Sequence, residues 1–111
     1  MNEAPLREPT FLILTALTDE PRHGYAIIEE VARISDGAVR LRAGTLYAAL
    51  DRLRADGLIE VDREEVVQTR LRRYYRITAV GARRLAADAA RMRRHADAAT
   101  RRLGHLAGGT A

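Results

Sequence analysis

Along the chain the apolar positions switch between helical and extended spacing, and each switch marks an element. Residues 1–8 carry charges of both signs, a proline and few apolar positions, and read as an arm. From Phe11 to Leu17 nearly every position is apolar, and Pro9 suits the first helical turn, where its missing N–H costs nothing. A helix apolar on most sides has to be covered on most sides, which in so short a chain points to a partner subunit. Thr18-Asp19-Glu20-Pro21 ends it with turn-forming residues. Between His23 and Ile34, Ile27, Ile28, Val31 and Ile34 recur at helical spacing, with Glu29, Glu30 and Arg33 opposite; Ser35-Asp36-Gly37 closes that helix. A third helix runs from Ala43 to Asp56, with Leu46, Leu50 and Leu53 stacked on one face and Gly57 as its stop. Its opposite face holds Gly44, Ala48, Asp51, Arg52 and Ala55, flanked by Thr45 and Tyr47. Residues this small let another surface approach the backbone.

The period then falls to two. Leu58 to Arg63 and Leu71 to Ile77 alternate, and with residues 64–70 as connector they read as a hairpin. Tyr75 and Ile77 share the inward face of the second strand; Arg70, Arg72, Tyr74 and Arg76 share the other, a cationic ribbon. Thr78 is a good N-cap for a last helix reaching to about Leu106. In it Ala82, Leu85, Ala89, Met92, Ala96, Ala99, Leu103 and Leu106 step by three and four, a heptad seam built for close helix contact. A helix of about 28 residues spans about 42 Å, more than the third helix and hairpin can cover. Its far half is expected to pack on a second copy.

Composition narrows the class. At 111 residues the chain is one domain's worth, and a chain of this size buries only about 60–70% of its unfolded surface, so association would supply a second core. It has no cysteine, which excludes disulfides, thiolate metal sites and cysteine nucleophiles. It has no apolar run of membrane-spanning length and no basic-then-apolar leader, so a cytoplasmic protein is expected. All 19 basic residues are arginine. Residues 1–69 hold 8 Arg against 13 acids, and residues 70–111 hold 11 against 2, so the formal +4 is concentrated on the hairpin and last helix. Arginine's planar fork suits phosphates and guanine edges.

The motifs His23-Gly24-Tyr25-Ala26-Ile27, Gly44-Thr45-Leu46-Tyr47-Ala48-Ala49-Leu50-Asp51-Arg52-Leu53, Asp56-Gly57-Leu58-Ile59 and Arg72 to Gly81 follow one another in order. Together they closely resemble the PadR family of bacterial transcriptional regulators, over about residues 12–85. The resemblance implies a mainly α fold with a small β-hairpin: a winged helix-turn-helix over residues 1–78 and a C-terminal dimerisation helix with a short tail over 79–111. It implies a homodimer that represses by binding an inverted-repeat operator on double-stranded DNA. Tyr25 would then contact a phosphate, and Thr45 and Tyr47 would sit at the major groove. Placement adds Arg40, Arg42 and Arg52 around the third helix and Arg70 and Arg72 on the wing. The dimer seam would comprise Phe11, Leu14, Leu85, Ala89, Met92, Ala96, Ala99 and Leu103. A cavity lined by Phe11, Leu14 and Met92 would take a small apolar or aromatic effector, or be plain interface core.

The chain departs from the family in three ways. Its wing connector lacks Gly and Pro, it has no Trp to stack a planar drug, and Asp51 lies on the DNA face, to be neutralised by Arg54 or Arg40 or to accept from cytosine. No metal or cofactor is implied: His95 and His105 are ten apart on one helix, and no phosphate-cradling loop or nucleophile elbow is present. An enzyme is thereby disfavoured. The alternative of another class is a dimeric winged-helix module that binds protein and holds DNA weakly.

Overall fold

The computed structural model describes residues 4–108; the first three residues of the expected arm and the tail beyond Gly108 lie outside them. The order is α1 (Glu8–Ala16), β1 (Arg22–His23), α2 (Gly24–Ile34), α3 (Ala43–Ala55), β2 (Ile59–Val67), β3 (Arg70–Ile77) and α4 (Ala79–Gly108). The strands form one antiparallel sheet in the order β1-β3-β2. This is a winged helix-turn-helix with a long C-terminal helix. Sequence periodicity misses β1, because two residues are too few to show alternation; Arg22 and His23 pair with Tyr75 and Tyr74.

The core explains the helices. Ile13, Leu14, Leu17, Ile27, Val31, Leu46 and Leu50 are sealed from solvent, with Ile59 and Tyr75 closing the sheet side. Burying side chains of this size contributes about 1.5–3 kcal/mol each. The apolar run of α1 is therefore covered by its own chain. Leu14, expected at a dimer contact, has no accessible surface at all, and so cannot line an effector cavity with Phe11 and Met92. Leu85 likewise belongs to the core, while Phe11 packs partly buried against it.

The wing also differs from its expected shape. The strands run on to Val67 and Arg70, leaving Gln68 and Thr69 as a two-residue turn with φ of 51° and 66°. Both central residues at positive φ is the type I′ pattern, whose twist matches that of the flanking strands. Here it is made without glycine, at a conformational cost that the nine-residue β2 and eight-residue β3 offset by pairing along their length. A bulge between Val61 and Arg63 keeps Ile59 and Val61 facing the core and moves the distal strand out of phase.

α4 starts where the recognition helix ends. Thr78 Oγ1 accepts from Gly81 N–H at 3.0 Å and donates to the Gly57 carbonyl at 2.7 Å, while Thr78 N–H donates to the Leu58 carbonyl at 3.0 Å. A Cβ on Gly81 would stand 2.1 Å from that Leu58 oxygen. Past Asp88 the helix leaves the core, and Met92, Leu103 and Leu106 are 43%, 65% and 69% exposed. Gly81→Ala is expected to destabilise the fold by about 1–3 kcal/mol, since backbone has to move to admit the methyl. Gly44→Ala, with nothing within 4 Å of the new Cβ, should be neutral or stabilising by up to about 1 kcal/mol. Urea unfolding of both variants checks the contrast.

Candidate nucleic-acid interface

α3 presents the face that periodicity assigned to it. Leu46, Ala49, Leu50 and Leu53 are buried, leaving Gly44, Thr45, Tyr47, Ala48, Asp51 and Arg52 outward. Arg42 is its N-cap but supplies no side-chain cap, so the first-turn N–H groups have no side-chain acceptor there. Helix N-termini of this kind attract phosphate through those N–H groups and the helix dipole.

A groove of about 450 Å³ separates the N-termini of α2 and α3 from the wing. Its lining brings together Tyr25, Tyr47, Arg70 and Arg72, with His23, Gly24, Leu71 and Arg73. Tyr25 is 67% and Tyr47 48% exposed. Gly24 is what admits Tyr47: a Cβ there would stand 2.3 Å from the phenol oxygen. Thr45 and Arg42 are exposed at the adjoining start of α3, and the Arg40 guanidinium lies over Gly37, 3.2 Å from where a Cβ would be. Arg52 does not join this groove. It borders a second one on the other flank of α3, together with Arg7, Arg84 and Asp56.

The arginines divide by what they hold. Arg22, Arg33, Arg63, Arg73, Arg76 and Arg91 each hold a carboxylate. Arg76 was expected on an unpaired ribbon, yet it pairs with Glu60 at 2.8 Å and Asp62 at 3.4 Å. Strand register brings these acids opposite it from 16 and 14 residues away. Tyr74 is likewise engaged, stacked under the Arg63 guanidinium at 3.9 Å and meeting the His23 ring edge-on at 5.3 Å. Arg40, Arg42, Arg52, Arg70 and Arg72 form no ion pair among the described residues. Asp51 forms none either, so neither Arg54 nor Arg40 neutralises it.

His23 organises the corner. Its Nδ1 accepts from Ala26 N–H at 3.4 Å, capping α2, while its backbone pairs with β3. Burial, then the positive charge of Arg72, holds its pKa below the ordinary value, against weaker opposing effects of Glu29 and Glu65. Asp88 is a further residue that periodicity does not reveal: buried on α4, it accepts from Leu6 N–H at 3.2 Å and from Arg91 at 3.1 Å, tying the arm to the helix. Among the described residues no group of three His, Asp or Glu side chains is placed to hold a metal, and no helix is long and apolar enough to cross a membrane.

Comparison with known proteins agrees with this geometry. The profile of the Transcriptional regulator PadR-like family matches residues 13–87. The chain belongs to that family. Its members are transcriptional regulators, not enzymes. The transcriptional regulator Rv3488 of Mycobacterium tuberculosis is 41% identical over 76 residues, 68% of this chain and 67% of that protein. The curated relatives are longer, and the chain spans about two thirds of their length, 64% in a Lysinibacillus sphaericus protein. A crystal structure of a PadR family regulator from Eggerthella lenta superposes with a TM-score of 0.69 at 29% identity, covering 85% of this chain and 80% of that one. The fold is shared with Bacillus subtilis PadR, solved in complex with operator DNA: TM-score 0.65, 21% identity, covering 73% of this chain and 47% of that one.

The lowered pKa of His23 sets a pH dependence. As pH falls below about 6.5, the unfolded chain takes up the proton first and the folded chain resists it, so stability falls. His23→Asn keeps a capping oxygen without titrating, and should flatten that part of a stability-versus-pH curve measured by chemical unfolding.

Proposed function

We propose that this PadR-family regulator binds double-stranded DNA as a homodimer and represses transcription from an inverted-repeat operator. The observation that carries the reading is the groove between wing and helices. There two exposed tyrosines face two arginines that hold no carboxylate, beside the uncovered N-terminus of α3. Phosphate neutralisation by such arginines provides affinity, and side chains on a helix in the major groove read bases. Thr45 and Tyr47 would serve that second role, and Arg42, Arg70 and Arg72 the first. Arg40, beside Gly37, would lie at the edge of the footprint, with Tyr25 on a phosphate. Asp51 would accept from a cytosine amine in the groove. The operator-bound Bacillus subtilis PadR supports this mode for the fold.

The dimer reading rests on α4. Its outer half presents Ala89, Met92, Ala96, Ala99 and Leu103 as a seam open to a partner, with small residues at close-packing positions. A second copy on this seam would set two recognition helices about one DNA turn, roughly 34 Å, apart. Release of the operator by a small apolar ligand at the dimer contact is part of this reading, and so is action in the cytoplasm.

Selection of bound duplexes from random DNA, followed by titration across salt, tests the function. Affinity should fall steeply with salt, in proportion to the phosphates neutralised. Arg72→Ala should weaken binding to every sequence and flatten the log–log salt slope by about 0.9. A protein-binding module would show neither the slope nor a selected sequence. Ala96→Glu buries a carboxylate in the seam and should yield monomers by light scattering; an intact dimer would place the contact elsewhere.

A further inference from the structure

Two grooves flank α3, and only one of them borders the wing. The other, about 570 Å³, lies between the arm, α3 and the first turns of α4. Arg7, Arg52 and Arg84 line it, with Thr10, Ala49 and Asp56. Three guanidinium groups against one carboxylate leave the lining a formal charge of +2. Arg7 and Arg52 are exposed and form no ion pair among the described residues. The arm that carries Arg7 is held in place: Leu6 N–H donates to Asp88, and Arg84 donates to the Ala4 carbonyl at 2.6 Å. Arg7 itself sits at the N-cap of α1, its carbonyl accepting from Phe11 N–H at 2.9 Å. Its backbone is thus fixed on both sides.

A helix with its side chains is about 10–12 Å across, and the major groove of B-DNA is about 12 Å wide. A helix lodged there has a phosphate backbone along each flank. The wing offers cations to one backbone. The geometry points to Arg7, Arg52 and Arg84 as the clamp on the other, which makes the arm a second DNA-contacting segment across α3 from the wing. This rests on the DNA-binding reading above. The occupant is a phosphodiester backbone because α3 itself forms one wall of the groove, through Ala49, Arg52, Leu53 and Asp56. Anything that fills it lies alongside the recognition helix.

The test uses the full chain and a selected duplex, with binding followed by fluorescence anisotropy from about 50 to 200 mM salt, the range over which phosphate contacts are read. Arg7→Gln and Arg52→Gln should each weaken binding to all sequences and each flatten the salt slope by about 0.9, with melting temperatures unchanged. Arg7→Glu should weaken it further. Phosphate-ethylation interference should lose signal on one backbone with Arg7→Gln and on the opposite backbone with Arg72→Ala. If wild type and Arg72→Ala behave as DNA binders while the Arg7 and Arg52 variants match wild type, the clamp is overturned and the DNA reading stands. If wild type shows no salt-dependent binding, the DNA reading itself fails.

Discussion

Gly81 lets the last helix approach the Leu58 carbonyl more closely than any side chain would allow, and the outward-facing parts of the molecule depend on that contact. The same few residues end α3 through Gly57 at a φ of 75°, begin β2, end β3 and cap α4 through Thr78. Recognition helix, wing and long helix therefore share one hydrogen-bonded corner. Moving α4 relative to the core would move the corner, and with it the angle between α3 and the wing. Rigidity here is what lets two arginines on a hairpin and two tyrosines on helices face each other across a groove rather than drift apart.

Charge is distributed by a similar sharing of contacts. The 19 arginines give the chain its basic total, but those on the sheet are largely engaged by neighbouring acids. Exposed pairs of this kind add little to stability, because water screens them and long side chains have to be held still. Their larger effect is to cancel charge away from the grooves, so that positive potential is left beside α3. The acidic surplus of residues 1–69 does not oppose DNA binding in this arrangement, because Glu60, Asp62, Glu64 and Glu65 are engaged by arginines of the wing itself.

Periodicity made the four helices and the hairpin legible, since Leu46, Leu50 and Leu53 or Tyr75 and Ile77 repeat at spacings that only one element satisfies. What it left out has local physical causes. β1 is two residues long, and the wing turn uses Gln68-Thr69 in place of the Asn-Gly that marks a type I′ hairpin. The pairing of Arg76 depends on strand register and the bulge after Val61, neither visible in one dimension. Leu14 and Met92 look equivalent as apolar residues on exposed-looking helices; only packing shows that one is sealed in its own chain and the other half open. Among the site residues, the groove around Tyr25, Tyr47, Arg70 and Arg72 follows from motif order, whereas the separate position of Arg52 follows from the arm, which carries no periodic signal.

That arm changes how the two ends of the chain relate. Asp88 is a buried carboxylate on a helix otherwise rich in alanine and arginine, and its partners are a backbone N–H of residue 6 and the neighbouring Arg91. A charge placed there is tolerated because both oxygens are satisfied, and removing its partners would leave it costly. The N-terminal segment is thereby registered to the helix that leaves the core, about three turns beyond Thr78. Any displacement of α4 by a second subunit would reach α3 along two routes, the Gly81 corner on one side and the Asp88-held arm on the other. A chain this small can thus couple its outermost helix to its recognition helix without a separate effector domain.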